Sequence, residues 1–315
     1  MAVPTPRNQP VHAYAPGDPE RATLQERLAT MAKETVDAPM RIGDRDVTSG
    51  ETFVQRAPHR HDLELAVVHG ARHEDVTAAI EAADAAHHDW SRWSFEERAA
   101  VFLRAADLLA GPWRDTINAA TILGQSKSVQ QAEIDAAVEL IDFLRFNVAF
   151  AERIHADQPI STPGVWNRTE HRPLEGFVLA ITPFNFTAIA GNLPTAPAIM
   201  GNTVVWKPAE YAPAVADAFV RCIRAAGIPA GAIQLVLADG TTTSKGLEGA
   251  LAAGHLDKVG FTGSSDVGRR IAAMCGEHLV APTLELGGKN PLVVMSDAQL
   301  DLAVEGALFS GFGTA

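Results

Sequence analysis

The second half of the chain alternates short apolar runs with segments of helical character, and this alternation is what most constrains the fold. Four apolar runs carry the pattern: FVLAIT (177–182), TVVW (203–206), IQLVLA (233–238) and KVGFT (258–262). Helical segments separate the runs, among them residues 213–226 and 266–274. Short strands that are apolar on both faces, with helices between them, are typical of a parallel sheet covered on both sides. We therefore predict an α/β fold, with an open parallel sheet and helices on both of its faces.

The first half of the chain is predicted to be mainly helical. Ser94 and Ser128 each precede a Glu or Gln by three residues, which is the pattern of a capping box at the start of a helix. The helix after Ser128 has an apolar stripe that we expect to pack into the core: Ile134, Val138, Ile141, Leu144 and Val148. Residues 43–70 combine short apolar runs with turn residues and predict short strands.

Residues 155–176 differ from the segments on either side, because they are polar and contain Pro and turn-forming residues. We expect an extended ribbon that leaves the main body of the protein. An exposed strand edge is a liability unless another chain or element covers it. The segment therefore predicts an oligomerisation ribbon, and a homo-oligomer when the protein is full length.

Charge and cysteine content argue against several classes of partner. The net charge of −12 would repel the phosphates of nucleic acids and anionic lipids, so we expect neither as a partner. The chain has no apolar run of the roughly 20 residues needed to span a bilayer, and its first residues lack the apolar core of a signal peptide. Cys222 and Cys275 form neither a disulfide framework nor a Cys/His metal cluster. We predict a cytoplasmic protein without a bound metal.

Polar clusters follow three of the predicted strands. PFNF (183–186) follows the first run, KPAE (207–210) follows the second, and GSSDVG (263–268) follows the fourth and begins a helix. Open parallel sheets bind ligands beyond the carboxyl ends of their strands. We therefore predict that these clusters meet at one edge of one sheet and line a crevice there.

The third cluster is a candidate phosphate site. Gly263 allows the backbone to approach a ligand closely, and the free N–H groups of the first helical turn, with the Ser264 hydroxyl, can receive an anion. The alternative is that Ser264 only caps the helix. Asp266 fits that alternative, because a carboxylate aimed at a pyrophosphate is unfavourable.

The first two clusters contain candidate hydrogen-bonding groups. Lys207 is either a solvated strand end or a donor to ribose hydroxyls, with Glu210 as the acceptor for one of them. Asn185 lies between two phenylalanines, and we expect it to be buried. It either caps the helix that follows or donates a hydrogen bond to a developing oxyanion.

Glu285 lies between two leucines and precedes a Gly-Gly pair. Burial among apolar groups would raise the pKa of this carboxyl toward that of a useful general base. The alternative is a structural salt bridge between Glu285 and Lys289.

Four motifs together resemble those of the aldehyde dehydrogenases in order and spacing: PFNF (183–186), KPAE (207–210), FTGSSDVG (261–268) and ELGGKN (285–290). The resemblance covers the chain from about Asn8 onward. It implies the aldehyde dehydrogenase fold, a Rossmann-like core that binds NAD, and oxidation of a small-molecule aldehyde to an acid. Three longer segments resemble the family members that oxidise L-glutamate γ-semialdehyde to L-glutamate in proline breakdown: 131–147, 158–177 and 183–202.

The resemblance also implies a role for each motif. Asn185 is the oxyanion donor, Glu285 is the base that activates water, and Phe186 packs on the aliphatic stem of the substrate. The residues implied to contact NAD are Thr182, Lys207, Glu210, Gly263, Ser264, Ser265, Asp266 and Val267. The implied parts of the chain are the helical part of the cofactor domain (1–154), the oligomerisation ribbon (155–176), the NAD-binding core (177–286) and the start of the catalytic domain (287–315).

The resemblance further implies a cysteine nucleophile in a Gly-Gln-x-Cys turn, which would lie just past Ala315. Cys222 and Cys275 do not match that turn, and they lie in predicted helices, where small buried thiols are the norm. We therefore expect the chain to be an incomplete part of a longer enzyme and to be inactive by itself. We also expect an exposed apolar surface where the catalytic domain would pack.

Two alternative functions stay open. The general motifs also suit a dehydrogenase for another semialdehyde, such as succinate semialdehyde. They also suit a non-catalytic NAD-binding module. Glu210 favours NAD over NADP in each case, since a carboxylate near the ribose repels a 2′-phosphate.

Overall fold

The computed structural model describes residues 3–313 of the 315-residue chain. Its helices are α1 (Pro19–Met31), α2 (His73–Trp90), α3 (Phe95–Ala110), α4 (Arg114–Gln125), α5 (Val129–Ala132), α6 (Glu139–Ala156), α7 (Thr187–Ile199), α8 (Pro213–Ala225), α9 (Gly240–Ala253), α10 (Ser265–Glu277) and α11 (Leu300–Phe312). A π-helical turn, Glu133–Val138, joins α5 to α6. The strands are β1 (Val36–Ala38), β2 (Met40–Ile42), β3 (Arg45–Val47), β4 (Thr52–Ala57), β5 (Arg60–His69), β6 (Phe177–Ile181), β7 (Val204–Lys207), β8 (Ile233–Leu235), β9 (Leu256–Gly263) and β10 (Thr283–Leu286).

The larger of two sheets has the strand order β10-β9-β6-β7-β8-β2-β3. From β10 to β8 every neighbouring pair is parallel, as the alternation of apolar runs predicts. β2 and β3 add an antiparallel edge: β3 lies within residues 43–70, where short strands were predicted, whereas β2 was not predicted. The smaller sheet, with the order β1-β5-β4, is formed by the N-terminal part of the chain.

Helices cover both faces of the larger sheet, because successive side chains of a strand point to opposite sides. In β7, Val205 lines a small apolar gap together with residues of α2 and α9, whereas Trp206 lines another with residues of α7 and α8. Both side chains are buried. The predicted α/β fold, with an open parallel sheet and helices on both faces, is confirmed.

One residue of the predicted apolar stripe lies elsewhere. Ile134 is 41% exposed, whereas Glu133 beside it is fully buried. The π-helical turn explains why Glu133 is buried in place of Ile134. A π-helix has more residues per turn than an α-helix, so the side chains at its start point in other directions than an unbroken α-helical period predicts. The other members of the stripe are buried, as predicted: Val138, Ile141, Leu144 and Val148.

The buried Glu133 carboxylate holds the N-terminal segment against the helices. It accepts hydrogen bonds from Arg114, from Asn118 at 2.8 Å, from the Tyr14 hydroxyl at 2.9 Å and from the His12 amide at 2.7 Å. Burial raises the pKa of Glu133, but the hydrogen bonds from Arg114 and His12 outweigh burial, so its pKa lies below the ordinary value of 4.5. The N-terminal segment is therefore anchored through one ionised carboxylate.

The predicted ribbon is exposed and irregular. Between α6 and β6 its only regular pairing is an isolated bridge that joins Thr162 to Val165. Ile160 is 87% exposed and Trp166 is 80% exposed. The segment thus exposes two large apolar side chains to solvent, although most of its residues are polar.

The chain after β10 exposes a second apolar surface, as expected. α11 buries none of its residues. The exposed large apolar residues of this part are Leu292, Val293, Val294, Met295, Leu300, Leu302, Val304, Leu308, Phe309 and Phe312. Thr314 and Ala315, the end of the segment expected to lead to the cysteine turn, lie outside the described residues. Among residues 3–313, no helix has the length and apolar character needed to cross a bilayer.

Candidate active site

The strand register brings the predicted site residues to one edge of the larger sheet. Ile181 at the end of β6 pairs with Lys207 on one side and with Phe261 on the other. Glu285 of β10 pairs with Thr262 of β9. Neighbouring strands lie about 4.8 Å apart, so three strand spacings place the ends of β7 and β10 roughly 14 Å apart. The polar clusters therefore share one edge, as predicted.

Thr182, the residue after β6, is bound by a buried side chain of the core. Its side chain is buried, and its hydroxyl accepts a hydrogen bond from Trp206 Nε1 at 2.9 Å. Its backbone N–H donates to the Lys207 carbonyl at 3.1 Å. Trp206 was not recognised as a site residue from the sequence, because a tryptophan in an apolar run predicts only core packing.

Lys207 is not the solvated strand end that one interpretation allowed. Its side chain is only 11% exposed, and Nζ lies 3.5 Å from Glu210 Oε1. Burial lowers the pKa of Lys207, and the neighbouring carboxylate of Glu210 only partly opposes that effect. The pair presents a cationic donor and a carboxylate acceptor at the end of β7.

The turn that carries Glu210 is fixed by a buried side chain from β4. Gln55 is 4% exposed, and its Nε2 donates to the Tyr211 carbonyl at 2.8 Å. The Ala214 amide in turn donates to Gln55 Oε1 at 2.9 Å. Both hydrogen-bonding groups of the amide are therefore used to hold the backbone next to Glu210.

The α10 N-terminus has the predicted strand-to-helix geometry, and Ser264 is its cap. The Ser264 hydroxyl accepts from the Val267 amide at 3.4 Å, as the capping alternative predicted. The cap occupies one of the N–H groups that a helix leaves unpaired in its first turn, so others stay open to an anion. Asp266 is highly exposed and pairs with Arg269 at 2.9 Å.

Two glycines set how closely the backbone packs at this edge. A Cβ on Gly263 would lie 2.6 Å from the Phe261 ring, and a Cβ on Gly268 would lie 2.5 Å from a methyl group of Leu286. Contacts this short do not occur between real side chains and Cβ atoms. Gly268 therefore allows α10 to lie directly against β10, the strand that carries Glu285.

Asn185 is exposed, and the expectation that it is buried was wrong. It does not cap α7 either, because Phe186 occupies the cap position without a side-chain hydrogen bond. The packing of this turn is carried instead by Phe186 and Thr187, which leaves the Asn185 amide at the surface. Its donor is therefore available to a ligand.

Glu285 is also exposed, so the predicted burial among leucines was wrong. Side chains alternate along a strand, and Leu284 and Leu286 are both partly buried on the side opposite to Glu285. β10 is the last strand of the larger sheet, and among residues 3–313 its only partner strand is β9. Within residues 3–313, Glu285 and Lys289 do not form the alternative salt bridge.

Phe186 contacts the loop that follows α4 through one face of its ring. Lys127 Nζ lies 4.8 Å from the centroid of the Phe186 ring. The adjacent Thr187 hydroxyl lies 2.8 Å from the Thr121 hydroxyl and accepts from Gln125 Nε2 at 3.0 Å. These contacts were not predicted, because a lysine between two serines is typical of an exposed loop.

Neither cysteine is placed for nucleophilic attack at this edge. Cys222 is buried in α8, and burial raises the pKa of its thiol to about 12. Cys275 is fully buried in α10, and burial also raises its thiol pKa. Nucleophilic cysteines need a lowered pKa and access to substrate, so these two are structural.

A groove of about 1440 Å³ opens beside this edge. Phe184, Glu210 and Tyr211 line it together with residues of β4 and of the start of α2. The exposed rings of Phe184 and Tyr211 meet edge to face, with centroids 6.0 Å apart. The groove therefore adjoins the predicted site at Glu210.

The aldehyde dehydrogenase family pattern matches residues 46–315 of this chain. The chain belongs to the aldehyde dehydrogenase family, as its four motifs indicated.

The relatives within that family agree with the narrower resemblance. Mitochondrial delta-1-pyrroline-5-carboxylate dehydrogenase of Mus musculus is 43% identical over 311 residues, covering 97% of this chain and 55% of the mouse protein. The Delta-pyrroline-5-carboxylate dehydrogenase from Mycobacterium tuberculosis has a crystal structure that matches with a TM-score of 0.93 and 51% identity, covering 99% of this chain and 58% of that one. Its structure bound with NAD matches with the same score and identity, over 99% and 59%. This chain thus spans little more than half the length of these relatives.

Proposed function

We propose that this chain is the cofactor-binding part of an enzyme that oxidises L-glutamate γ-semialdehyde to L-glutamate with NAD. The observation that carries the proposal is the shared edge of the parallel sheet, where Lys207 ends β7, Ser264 follows β9 and Glu285 lies one residue before the end of β10. The names of the relatives support the substrate, and one of them has been solved with NAD. The reaction belongs to proline breakdown.

The residues at this edge fit NAD. The start of α10, formed by Gly263, Ser264, Ser265, Asp266 and Val267, suits the pyrophosphate, because its first turn has N–H groups besides that of Val267, which is bonded to the Ser264 hydroxyl. Lys207 and Glu210 suit ribose hydroxyls as donor and acceptor, and Thr182 lies beside them. The Glu210 carboxylate disfavours the 2′-phosphate of NADP. NAD, when bound, supplies the acceptor for the hydride that leaves the aldehyde carbon.

The chain's own residues have three further roles in the proposal. The exposed Asn185 amide donates to the carbonyl oxygen as negative charge develops on it. Glu285 accepts a proton from the water that releases the acid. Phe186 contacts the aliphatic stem of the substrate. Because Glu285 is exposed among the described residues, the proposal requires protein outside them to exclude solvent from it.

The nucleophile in the proposal is a cysteine outside the 315 residues, since Cys222 and Cys275 are buried with raised pKa values. The thiolate attacks the aldehyde, and a thioester forms once hydride has left. Water activated by Glu285 then releases the acid. The 315-residue chain by itself is therefore expected to bind NAD without turning over an aldehyde.

The coding sequence and a substrate panel test this proposal. The reading frame after Ala315 should contain a cysteine in a Gly-Gln-x-Cys context, and the complete product should turn over glutamate γ-semialdehyde faster than succinate semialdehyde. Faster turnover of succinate semialdehyde would overturn the substrate assignment. A natural stop codon after Ala315, in a folded chain that binds NAD, would favour a non-catalytic module instead.

The proposed parts of the chain are a helical part of the cofactor domain (1–154), an oligomerisation ribbon (155–176), an NAD-binding core (177–286) and the start of a catalytic domain (287–315). Exposure of Ile160 and Trp166 in the ribbon supports pairing with a second copy. The full-length protein should therefore elute as a dimer or a larger oligomer in gel filtration, and a monomer would refute this part of the proposal.

A cytoplasmic location is also part of the proposal. Both cysteines are buried and neither is in a disulfide, which suits a reducing compartment. Several relatives are named as mitochondrial proteins, so fractionation of the source cells decides between the two compartments.

A further inference from the structure

We propose that Lys127 is a positioning residue for the substrate pocket: it holds the Phe186 ring in place, and Asp135 orients it. This inference rests on the proposed function, because Phe186 is the residue assigned there to the aliphatic stem of the aldehyde. The geometry that supports it is local to α4, the π-helical turn and the start of α7.

The position of the Lys127 ammonium group is closely defined. Its side chain is 1% exposed, and Nζ donates to Asp135 Oδ2 at 2.9 Å. The same Nζ lies 4.8 Å from the Phe186 ring centroid, within the range of a cation–π contact. The ammonium group therefore connects Asp135 in the π-helical turn to Phe186, the residue immediately before α7.

Packing alone does not account for a lysine at this place. A buried charge loses its hydration, and a buried ion pair can often be replaced by apolar side chains of similar volume without loss of stability. Two apolar residues in place of Lys127 and Asp135 would fill the same space beneath the ring. A lysine adds an electrostatic attraction to the ring face, which fixes the ring more narrowly than dispersion contacts do.

The neighbouring contacts make the same turn rigid. Thr187 is hydrogen-bonded to both Thr121 and Gln125 on α4, so the backbone after Phe186 has little freedom. Phe186 itself is only partly buried, so part of its surface is available to a substrate. Asn185, one residue earlier, is exposed beside it. The α4 side thus supports the one turn that carries both proposed substrate contacts.

The kinetic consequence follows from what Phe186 is proposed to touch. Contact with the aliphatic stem is similar in the bound aldehyde and in the transition state, so its loss raises KM and leaves kcat nearly unchanged. NAD does not contact Phe186 in the proposal, so its KM should stay the same. A merely structural role for Lys127 would not separate the two substrates in this way.

The first test uses the product of the complete coding sequence. Lys127→Met keeps the volume and removes the charge, and it should raise KM for the aldehyde about tenfold with kcat within about threefold and KM for NAD unchanged. Asp135→Asn should act in the same direction. Lys127→Arg, which keeps the cation, should recover most of the affinity, and Lys33→Met on the exposed surface should change nothing. Unchanged kinetics in Lys127→Met, or equal changes for both substrates, would overturn the proposal.

The second test needs no turnover and uses the 315-residue chain. Hydrogen exchange of the amides of residues 184–190 should be about tenfold faster in Lys127→Met than in the native chain, and close to native in Lys127→Arg. Unchanged exchange would refute the positioning role even if the enzyme is active. If the native enzyme oxidises no aldehyde, the proposed function and the substrate role of Phe186 are both wrong. Faster hydrogen exchange in Lys127→Met would still show that Lys127 keeps Phe186 in position.

Discussion

The indole nitrogen of Trp206 donates a hydrogen bond to the Thr182 hydroxyl at 2.9 Å and so ties the end of β6 to β7. Trp206 is fully buried against α7 and α8, so a proposed cofactor contact is oriented by the hydrophobic core. The same edge carries Asn185 and Glu285, which are exposed. The site therefore combines groups fixed by the core with groups that contribute little to folding.

Asn185→Ala is expected to separate stability from catalysis. The amide makes no hydrogen bond among the described residues, so the free energy of unfolding should change by no more than about 0.5 kcal/mol. Loss of an oxyanion donor should lower kcat of the complete enzyme by about 10²–10³. Urea unfolding and steady-state kinetics on the same preparation test both parts. A kcat close to that of the native enzyme would remove the oxyanion role.

Glu285→Gln is expected to block the second half of the reaction only. Hydride transfer precedes the step in which Glu285 activates water, so rapid mixing should show a burst of about one NADH per active site, followed by slow turnover. The burst amplitude is read from NADH absorbance. Loss of the burst together with turnover would mean that Glu285 acts before hydride transfer, against this account.

Gly268→Ala is expected to disturb the contact between α10 and β10. The added Cβ would lie 2.5 Å from a Leu286 methyl group, so we expect a loss of about 1–3 kcal/mol of stability. Gly276→Ala in the same helix meets no atom within 4 Å and is the matched control, with a small gain or no change. Leu286→Ala combined with Gly268→Ala should cost less than the two single losses added together. Strict additivity would show that the two residues do not touch.

Glu133→Gln is expected to reveal a pH-dependent anchor for the N-terminal segment. At neutral pH the change leaves Arg114 buried without its charge partner, which should cost about 3 kcal/mol or more. The folded pKa of Glu133 lies below 4.5, so its contribution is present above pH 4.5 and is lost as pH falls through the folded value. The difference in the free energy of unfolding between the native protein and Glu133→Gln should therefore become smaller in acid.

Denaturant unfolding at several pH values between neutrality and acid measures this difference in the free energy of unfolding. The exposed Glu64 pairs with Arg56 at the surface, so Glu64→Gln is the control, with an expected loss of about 1 kcal/mol or less at any pH. If the difference between the native protein and Glu133→Gln stayed constant down to acid pH, the ionised Glu133 carboxylate would not be the anchor of the N-terminal segment.

Much of the fold was predictable because its signals are local. The strands of the parallel part are apolar on both faces, and β6, β7 and β9 lie within two residues of the predicted runs. The capping boxes at Ser94 and Ser128 both form as predicted. Such features depend on neighbouring residues in the chain, so they are visible without the tertiary structure.

The features that were missed depend on distant contacts. β1 and β2 are three residues each, too short to show an alternating pattern. The burial of Lys127 depends on Asp135 in the π-helical turn, and nothing in the local sequence indicates that pairing. The π-helical turn also explains why Ile134 is exposed, since an undisturbed helical period would bury it.

The site was predicted in its position but not in its environment. Strand ends of a parallel sheet meet at one edge, so the placement of Lys207 and Ser264 followed from the topology. The flanking leucines suggested burial for Glu285, whereas in a strand they point to the opposite side from it. A residue between two apolar neighbours is buried in a strand only if both faces of that strand are covered.

A calorimetric titration of the 315-residue chain with NAD tests whether these strand ends form one dinucleotide site. We predict saturable binding of one NAD per chain. Lys207→Met should weaken that binding at least tenfold, and the exposed control Lys33→Met should leave it unchanged. No saturable binding to the native chain, or equal affinity in Lys207→Met, would contradict the claim that these strand ends form one dinucleotide site.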